Sequence, residues 1–182
     1  MKLKICGLRH PDNIEDLLDR VAPDYLGFIF YMRSARYAGR YLDPYFARNL
    51  EGAKKVGVFV DEGEAEMEEI VRDFGLDLVQ LHGQESPETC AAMQAAGVKV
   101  IKVFSVGEAF DFAQLTPYEA VADYFLFDTR GPLPGGNGVQ FDWTLLQNYP
   151  GEKPFFPNGG IGPRHAEAPR EPAVPGLHAI DV

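Results

Sequence analysis

The chain's 182 residues, 46% hydrophobic and 24% charged, suit one soluble domain over residues 1–182 with length enough to bury a sizeable core. A net charge of −10 excludes the basic face that general affinity for DNA, RNA or anionic membrane requires, although a few local donors can still hold a small anion. Two cysteines, Cys6 and Cys90, are too few for a disulfide framework, no apolar leader opens the chain, and "YLGFIFYM" is too short to span a bilayer. A cytoplasmic protein with reduced thiols is the expectation.

Short β-rich runs alternate with amphipathic segments along the chain. Leu3–Cys6 reads as a strand, and Pro11 and Asp12 open a helix with Ile14, Leu17, Leu18 and Val21 on one face. Tyr25–Tyr31 is a near-continuous apolar strand, the pattern of a strand covered on both faces. A short helix over Pro44–Leu50 and a third strand at Lys55–Val60 follow. A helix over Glu64–Phe74 turns Met67, Ile70, Val71 and Phe74 inward.

Leu76–Leu81 is the fourth strand, and Ser86 caps a helix running to Ala96. Val98–Phe104 is the fifth, a helical stretch lies around Phe110–Leu115, and Tyr124–Phe127 is the sixth. A helix over Asp142–Asn148 precedes a seventh strand at Pro154–Phe156 and an eighth at His178–Val182. In the seventh crossover Pro169, Pro172 and Pro175 leave room only for a short helix.

Regular alternation of this kind implies parallel strands joined by helical crossovers. Eight strands point to an α/β fold of the (β/α)8 TIM-barrel type that lacks its eighth helix, with an open doubly wound sheet as the alternative. Barrels of this kind carry their chemistry at the C-terminal ends of the strands.

Two residues stand at such ends. Cys6 closes the first strand immediately before Gly7, where a thiol brought near its pKa can serve as a general base. Asp128 closes the sixth strand, and an apolar barrel mouth favours the neutral carboxyl that a general acid needs. Cys90, mid-helix among apolar neighbours, reads as core. Arg36 in "RSARY" is a natural bidentate partner for a carboxylate, with Arg33 and Arg40 as competitors.

Gly159 and Gly160 follow the seventh strand, where backbone amides leading into a short helix make a phosphate nest. The glycine-rich run 131–138 reads as a lid or a long turn. His82 ends the fourth strand, as either a structural hydrogen-bonder or a substrate contact. No His, Cys and acid cluster has metal-ligand spacing, and no dinucleotide or P-loop fingerprint is present.

These pieces resemble the phosphoribosylanthranilate isomerase family. The motifs are "KICGL" at 4–8, "GFIFYMRSARY" at 27–37, "VGVFV" at 56–60, "VQLHG" at 79–83, "FDT" at 127–129, "GGNG…FDW" at 135–143 and "NGGIGP" at 158–163. The resemblance implies an Amadori rearrangement of a phosphoribosyl arylamine with no metal, redox group or other cofactor. It makes Cys6 the base and Asp128 the acid. It puts Arg36 on the anthranilate carboxylate, the amides of Gly159 and Gly160 on the phosphate, and His82 and Asp181 among the substrate-binding residues. The implied partner is a small phosphosugar bound by a monomer or a homodimer.

Departures from the family pattern carry expectations of their own. Met32 and Ala35 stand where family members often carry proline, which loosens the second loop. The family continues after the "DV" matched by Asp181 and Val182 into a Ser- and Gly-containing loop and a last helix. Without them, half of the phosphate site is missing and the seam between strands eight and one is uncovered. Lower stability, a partner over the gap, a chain that continues beyond Val182, or weak activity is expected. A non-catalytic or weakly active phosphosugar-binding barrel is therefore the alternative reading. Indole-glycerol-phosphate synthase, another phosphosugar barrel enzyme, fits less well, because Lys4 and Lys102 do not supply its lysine and glutamate set.

Overall fold

Apolar runs bounded by Gly, Pro and Asp become eight parallel strands in a computed structural model that describes residues 2–107, 109–129, 146, 149–158 and 175–182. The strands are β1 (Lys2–Cys6), β2 (Tyr25–Ile29), β3 (Lys54–Phe59), β4 (Leu78–Leu81), β5 (Lys99–Val106), β6 (Tyr124–Thr129), β7 (Phe155–Asn158) and β8 (Ala179–Asp181). They pair in chain order, and β8 pairs back onto β1 through Lys2–Ala179, Leu3–Ile180 and Lys4–Asp181. The sheet is thus a closed barrel and the open-sheet alternative is excluded.

Period-two alternation divides the apolar residues between two cores. Tyr25, Val56, Leu78, Ile101, Val103, Leu126, Phe156 and Ala179 fill the barrel interior. Leu26, Phe28, Phe59, Val79, Leu81, Val100, Phe125, Phe127 and Phe155 face outward onto the helices.

Among the described residues the helices are α1 (Pro11–Arg20), α2 (Pro44–Arg48), α3 (Glu64–Phe74) and α4 (Pro87–Ala95). Proline opens α1, α2 and α4, where its missing N–H costs nothing. Asp43 caps α2 by accepting from Phe46 N at 3.0 Å, and Gly75 ends α3 in a left-handed conformation (φ 61°) that a side chain would strain. The inward residues of α3 follow the sequence pattern: Met67 and Phe74 are buried, while Ile70 and Val71 pack partly buried against the core.

The structure departs from the sequence reading in several places, with β2 ending at Ile29, β4 beginning at Leu78 and β6 running on to Thr129 among them. Val21 is 48% exposed, because α1 stops at Arg20 and the C-cap residue falls off its apolar stripe. The stretch expected near Phe110–Leu115 is a 3-10 helix over Phe112–Tyr118, held by Asp111 at its start and carrying Pro117. β5 runs to Val106, two residues further than expected. The expected helix over 142–148 (apart from the buried Leu146), the run 131–138, Gly159, Gly160 and most of the seventh crossover lie outside the described residues.

At the N-terminal end of the barrel one device recurs. Asp24, Asp77 and Asp123 each precede an even strand and accept, through the side chain, from the backbone N–H of Leu3, Lys55 and Val100 at 2.9, 2.8 and 2.9 Å. The N–H of each aspartate returns a bond to the carbonyl of that same residue. These rings stitch β2, β4 and β6 each to the odd strand before it and set the register that the functional end inherits.

The same end holds a pH-sensitive contact. His178 Nε2 lies 2.7 Å from the Tyr25 hydroxyl. Burial, helped by Lys2 and Lys99, pulls the His178 pKa below its ordinary value. The unfolded chain therefore takes up that proton first as pH falls, so this stability is present above about pH 6.5 and is lost below it. Thermal unfolding of wild type between about pH 7 and about pH 5.5 should show that loss, and His178→Gln, which keeps the hydrogen bond but does not titrate, should show less of it.

Candidate active site

The inward positions change character toward the C-terminal ends of the strands. The register Ser105–Asp128–Asn158–Asp181–Lys4 runs across β5, β6, β7, β8 and β1 as one unbroken line of polar residues. Directly above Lys4 on β1, two residues on and therefore on the same face, stands Cys6.

Local geometry makes room for the thiol. Cys6 pairs with Gly27 of β2, and a Cβ at Gly27 would lie 2.9 Å from the sulfur and 3.0 Å from the Cys6 Cα. Gly7 turns the chain out of β1 at φ 88°, and its N–H and that of Leu8 both bond the Gly27 carbonyl. Arg36 lies over this turn, where a Cβ on Gly7 would meet its Nη1 at 2.7 Å. That nitrogen is 3.4 Å from the Cys6 carbonyl oxygen, and the Arg36 side chain stays open to solvent. Of the three arginines near the second strand, Arg36 is the one with a contact to Cys6.

Burial, the largest influence, pushes the Cys6 thiol above its ordinary pKa; Lys4 and Arg36 pull it back, and Asp181 adds to the push. Asp181 is 1% exposed and takes the Lys4 ammonium with both carboxylate oxygens, each at 2.9 Å. Burial also raises the Asp181 pKa, against the pull of Lys4.

Asp128, 5% exposed, has His82 beside it, with Nε2 3.4 Å from Oδ2. That approach lacks hydrogen-bond alignment, and His82 Nε2, Gln80 Oε1 and Thr129 Oγ1 are buried without partners among the described residues. Gln80 Nε2 lies 3.5 Å from His82 Nδ1. Beneath the "HGQE" turn, Lys102 binds Glu85 at 2.8 Å and the Gly83 carbonyl at 2.8 Å, and Glu85 accepts from the N–H groups of Asp61 and Gly83. This buried pair anchors the loop that presents His82.

The structure thus brings Cys6, Arg36, Asp181, Asp128 and His82 to the same end of the barrel, with Lys4, His82 and Asp128 all acting on Asp181. Gly159 and Gly160, read as phosphate donors, lie outside the described residues. Sequence reasoning missed Lys4, Gln80 and the Glu85–Lys102 anchor. The signal for Lys4 was available: a charged residue inside a strand, in step with Cys6, implies a buried partner. Among the described residues no group of three or more His, Cys, Asp or Glu is placed to hold a metal ion, and no helix is long and apolar enough to cross a membrane.

A thiol, a carboxyl group and a guanidinium gathered at the C-terminal mouth of a closed parallel barrel define a (βα)8-barrel enzyme equipped to move protons on a small molecule. The sequence model for N-(5'-phosphoribosyl)anthranilate (PRA) isomerase matches residues 3–182. The N-(5'-phosphoribosyl)anthranilate isomerase of Parabacteroides distasonis is 44% identical over 184 residues, spanning 100% of this chain and 83% of its own length. The crystal structure of phosphoribosyl anthranilate isomerase from Thermus thermophilus superposes with a TM-score of 0.81 at 25% identity, over 100% of this chain and 86% of the other. A phosphoribosyl anthranilate isomerase in complex with reduced 1-(o-carboxyphenylamino)-1-deoxyribulose 5-phosphate superposes with a TM-score of 0.77 at 28% identity and covers the same shares. The chain belongs to the PRA isomerase family.

Proposed function

We propose that this chain is an aldose-to-ketose isomerase of tryptophan biosynthesis. It converts N-(5'-phosphoribosyl)anthranilate to 1-(2-carboxyphenylamino)-1-deoxyribulose 5-phosphate within a single domain, residues 1–182. Family membership over the whole chain carries the reaction; the inward-facing thiol and carboxyl at one mouth carry the assignment of roles.

Asp128 gives its proton to the furanose ring oxygen, the C1–O bond breaks, and the anthranilate nitrogen lone pair forms an iminium with C1. Cys6, as thiolate, takes the proton from C2. The C2–H electrons form the C1–C2 double bond and the iminium electrons return to nitrogen, giving an enolamine. Loss of the enol O–H proton and gain of a proton at C1 complete the ketone, with C2 oxidised and C1 reduced inside one molecule. Arg36 holds the anthranilate carboxylate in a charge-assisted pair, and His82 lies where it can contact the sugar beside Asp128. Gly159 and Gly160 supply amides to the phosphate. The remaining parts of the reading are a cytoplasmic location and a monomeric or homodimeric state.

The test is loss of phosphoribosylanthranilate followed by its fluorescence. Turnover supports the isomerase, and tight binding of product analogue without turnover supports a binding barrel instead. Arg36→Ala should raise KM by about tenfold to a hundredfold, the worth of one charge-assisted contact, while kcat falls far less. An unchanged KM would remove Arg36 from carboxylate binding.

A further inference from the structure

β1 places a second ionisable group in the barrel, and the mechanism above leaves it unused. Lys4 is fully buried, on the same inward face as Cys6 and one step below it. An ammonium has three protons to donate. Asp181 receives the ammonium at both of its oxygens, 2.9 Å each, and Cys6 stands two residues on along the same inward face of β1. A desolvated ion pair is no better for stability than apolar residues of the same volume, so stability alone does not account for one beneath a candidate base.

We propose that Lys4, held by Asp181, is the positioning residue that keeps Cys6 available as a thiolate once substrate is bound. The inference rests on the reading of Cys6 as the base and Arg36 as the carboxylate partner. Lys4 from β1, Asp181 from β8 and Arg36 from the loop after β2 are the charged groups that face the thiol, and β2 itself presents only Gly27. Two are cations, but they differ in what substrate does to them. The charge of Arg36 is spent on the anthranilate carboxylate when substrate arrives. Lys4 lies below the sulfur with its counter-ion already in place, so its charge remains when the proton must leave C2. Lys4 also stays protonated: burial works against the ammonium, but Asp181 and the neighbouring sulfur outweigh it and hold its pKa above the ordinary lysine value.

Asp181 thereby acquires a role distinct from substrate contact. It fixes the ammonium inside the barrel below Cys6, and it limits how far Lys4 favours the thiolate, because its own charge acts in the opposite direction.

The experiment titrates the thiol of the unliganded protein in a Cys90→Ala background, where Cys6 is the only cysteine. Alkylation rate with iodoacetamide is followed against pH. Lys4→Met should move the titration of Cys6 upward by about one pH unit or more, a roughly tenfold loss of thiolate at a given pH. Asp181→Asn should move it downward, and Lys4→Arg should hold it close to wild type. With substrate, Lys4→Met should lower kcat at neutral pH by a similar factor, leave KM near its wild-type value, and recover as pH rises.

A titration that stays put in both Lys4→Met and Asp181→Asn, or that moves the same way in both, overturns the proposal. If Lys4→Met does not fold, Asp181→Asn decides alone: a downward shift supports it, and no shift or an upward shift overturns it. The opposed shifts without turnover in any variant would count against the isomerase reading and leave the assignment of Lys4 to Cys6 standing.

Discussion

Cys6→Ser will lower kcat by about two to four orders of magnitude while KM stays near its wild-type value, the range that a positioned general base contributes. Serine is nearly isosteric and fits the space that Gly27 leaves beside the β1 end. It loses acidity, because a hydroxyl is not ionised at neutral pH even beside Lys4 and Arg36. The pH dependence supplies a second readout. Burial pushes the Cys6 thiol above its ordinary value, so wild-type kcat/KM should still be climbing through about pH 9 as thiolate accumulates. Cys6→Ser should lack that rise. Near-normal turnover in the serine variant would remove Cys6 from its role as base.

Asp128→Asn will cost a comparable two to four orders of magnitude in kcat, but at a different step. The amide keeps the shape of the side chain between Ser105 and Asn158 and its place beside His82, so folding should be retained. It has no acidic proton to give the ring oxygen. Ring opening then becomes the slow step, and removal of the C2 proton ceases to govern the rate. Substrate deuterated at C2 separates the two variants. Its isotope effect should be large in Cys6→Ser, where C2–H cleavage limits turnover, and should collapse toward unity in Asp128→Asn. A large effect in both would place Asp128 outside the ring-opening step.

The two residues with the largest expected effects were legible for one reason: each stands at the C-terminal end of an apolar strand, Cys6 as the last residue of β1 and Asp128 as the last but one of β6. Parallel strands expose their C-terminal ends together, so "KICG" and "LFDT" fall at one end of the barrel by sequence alone. Cys90 was legible as core for the opposite reason, apolar neighbours on both sides, and it is fully buried. Val21 was misread because periodicity continues past the residue where the helix hydrogen bonds stop. The segment after Phe110 was read only as helical, because a 3-10 turn with an internal proline has no distinct apolar period.

Order, number and direction of the strands, the turns that end them, and the residue types at the mouth follow from the amino-acid sequence by itself, because apolar periodicity and glycine placement are local properties. Closure of β8 onto β1, the pairing of Lys4 with Asp181 across 177 positions, the approach of His82 to Asp128, and the selection of Arg36 from three neighbouring arginines were decided only by the tertiary structure. Each depends on distances between strands far apart in the chain. An ion pair or a buried hydrogen bond exists only where the barrel's register brings its two halves within about 3 Å.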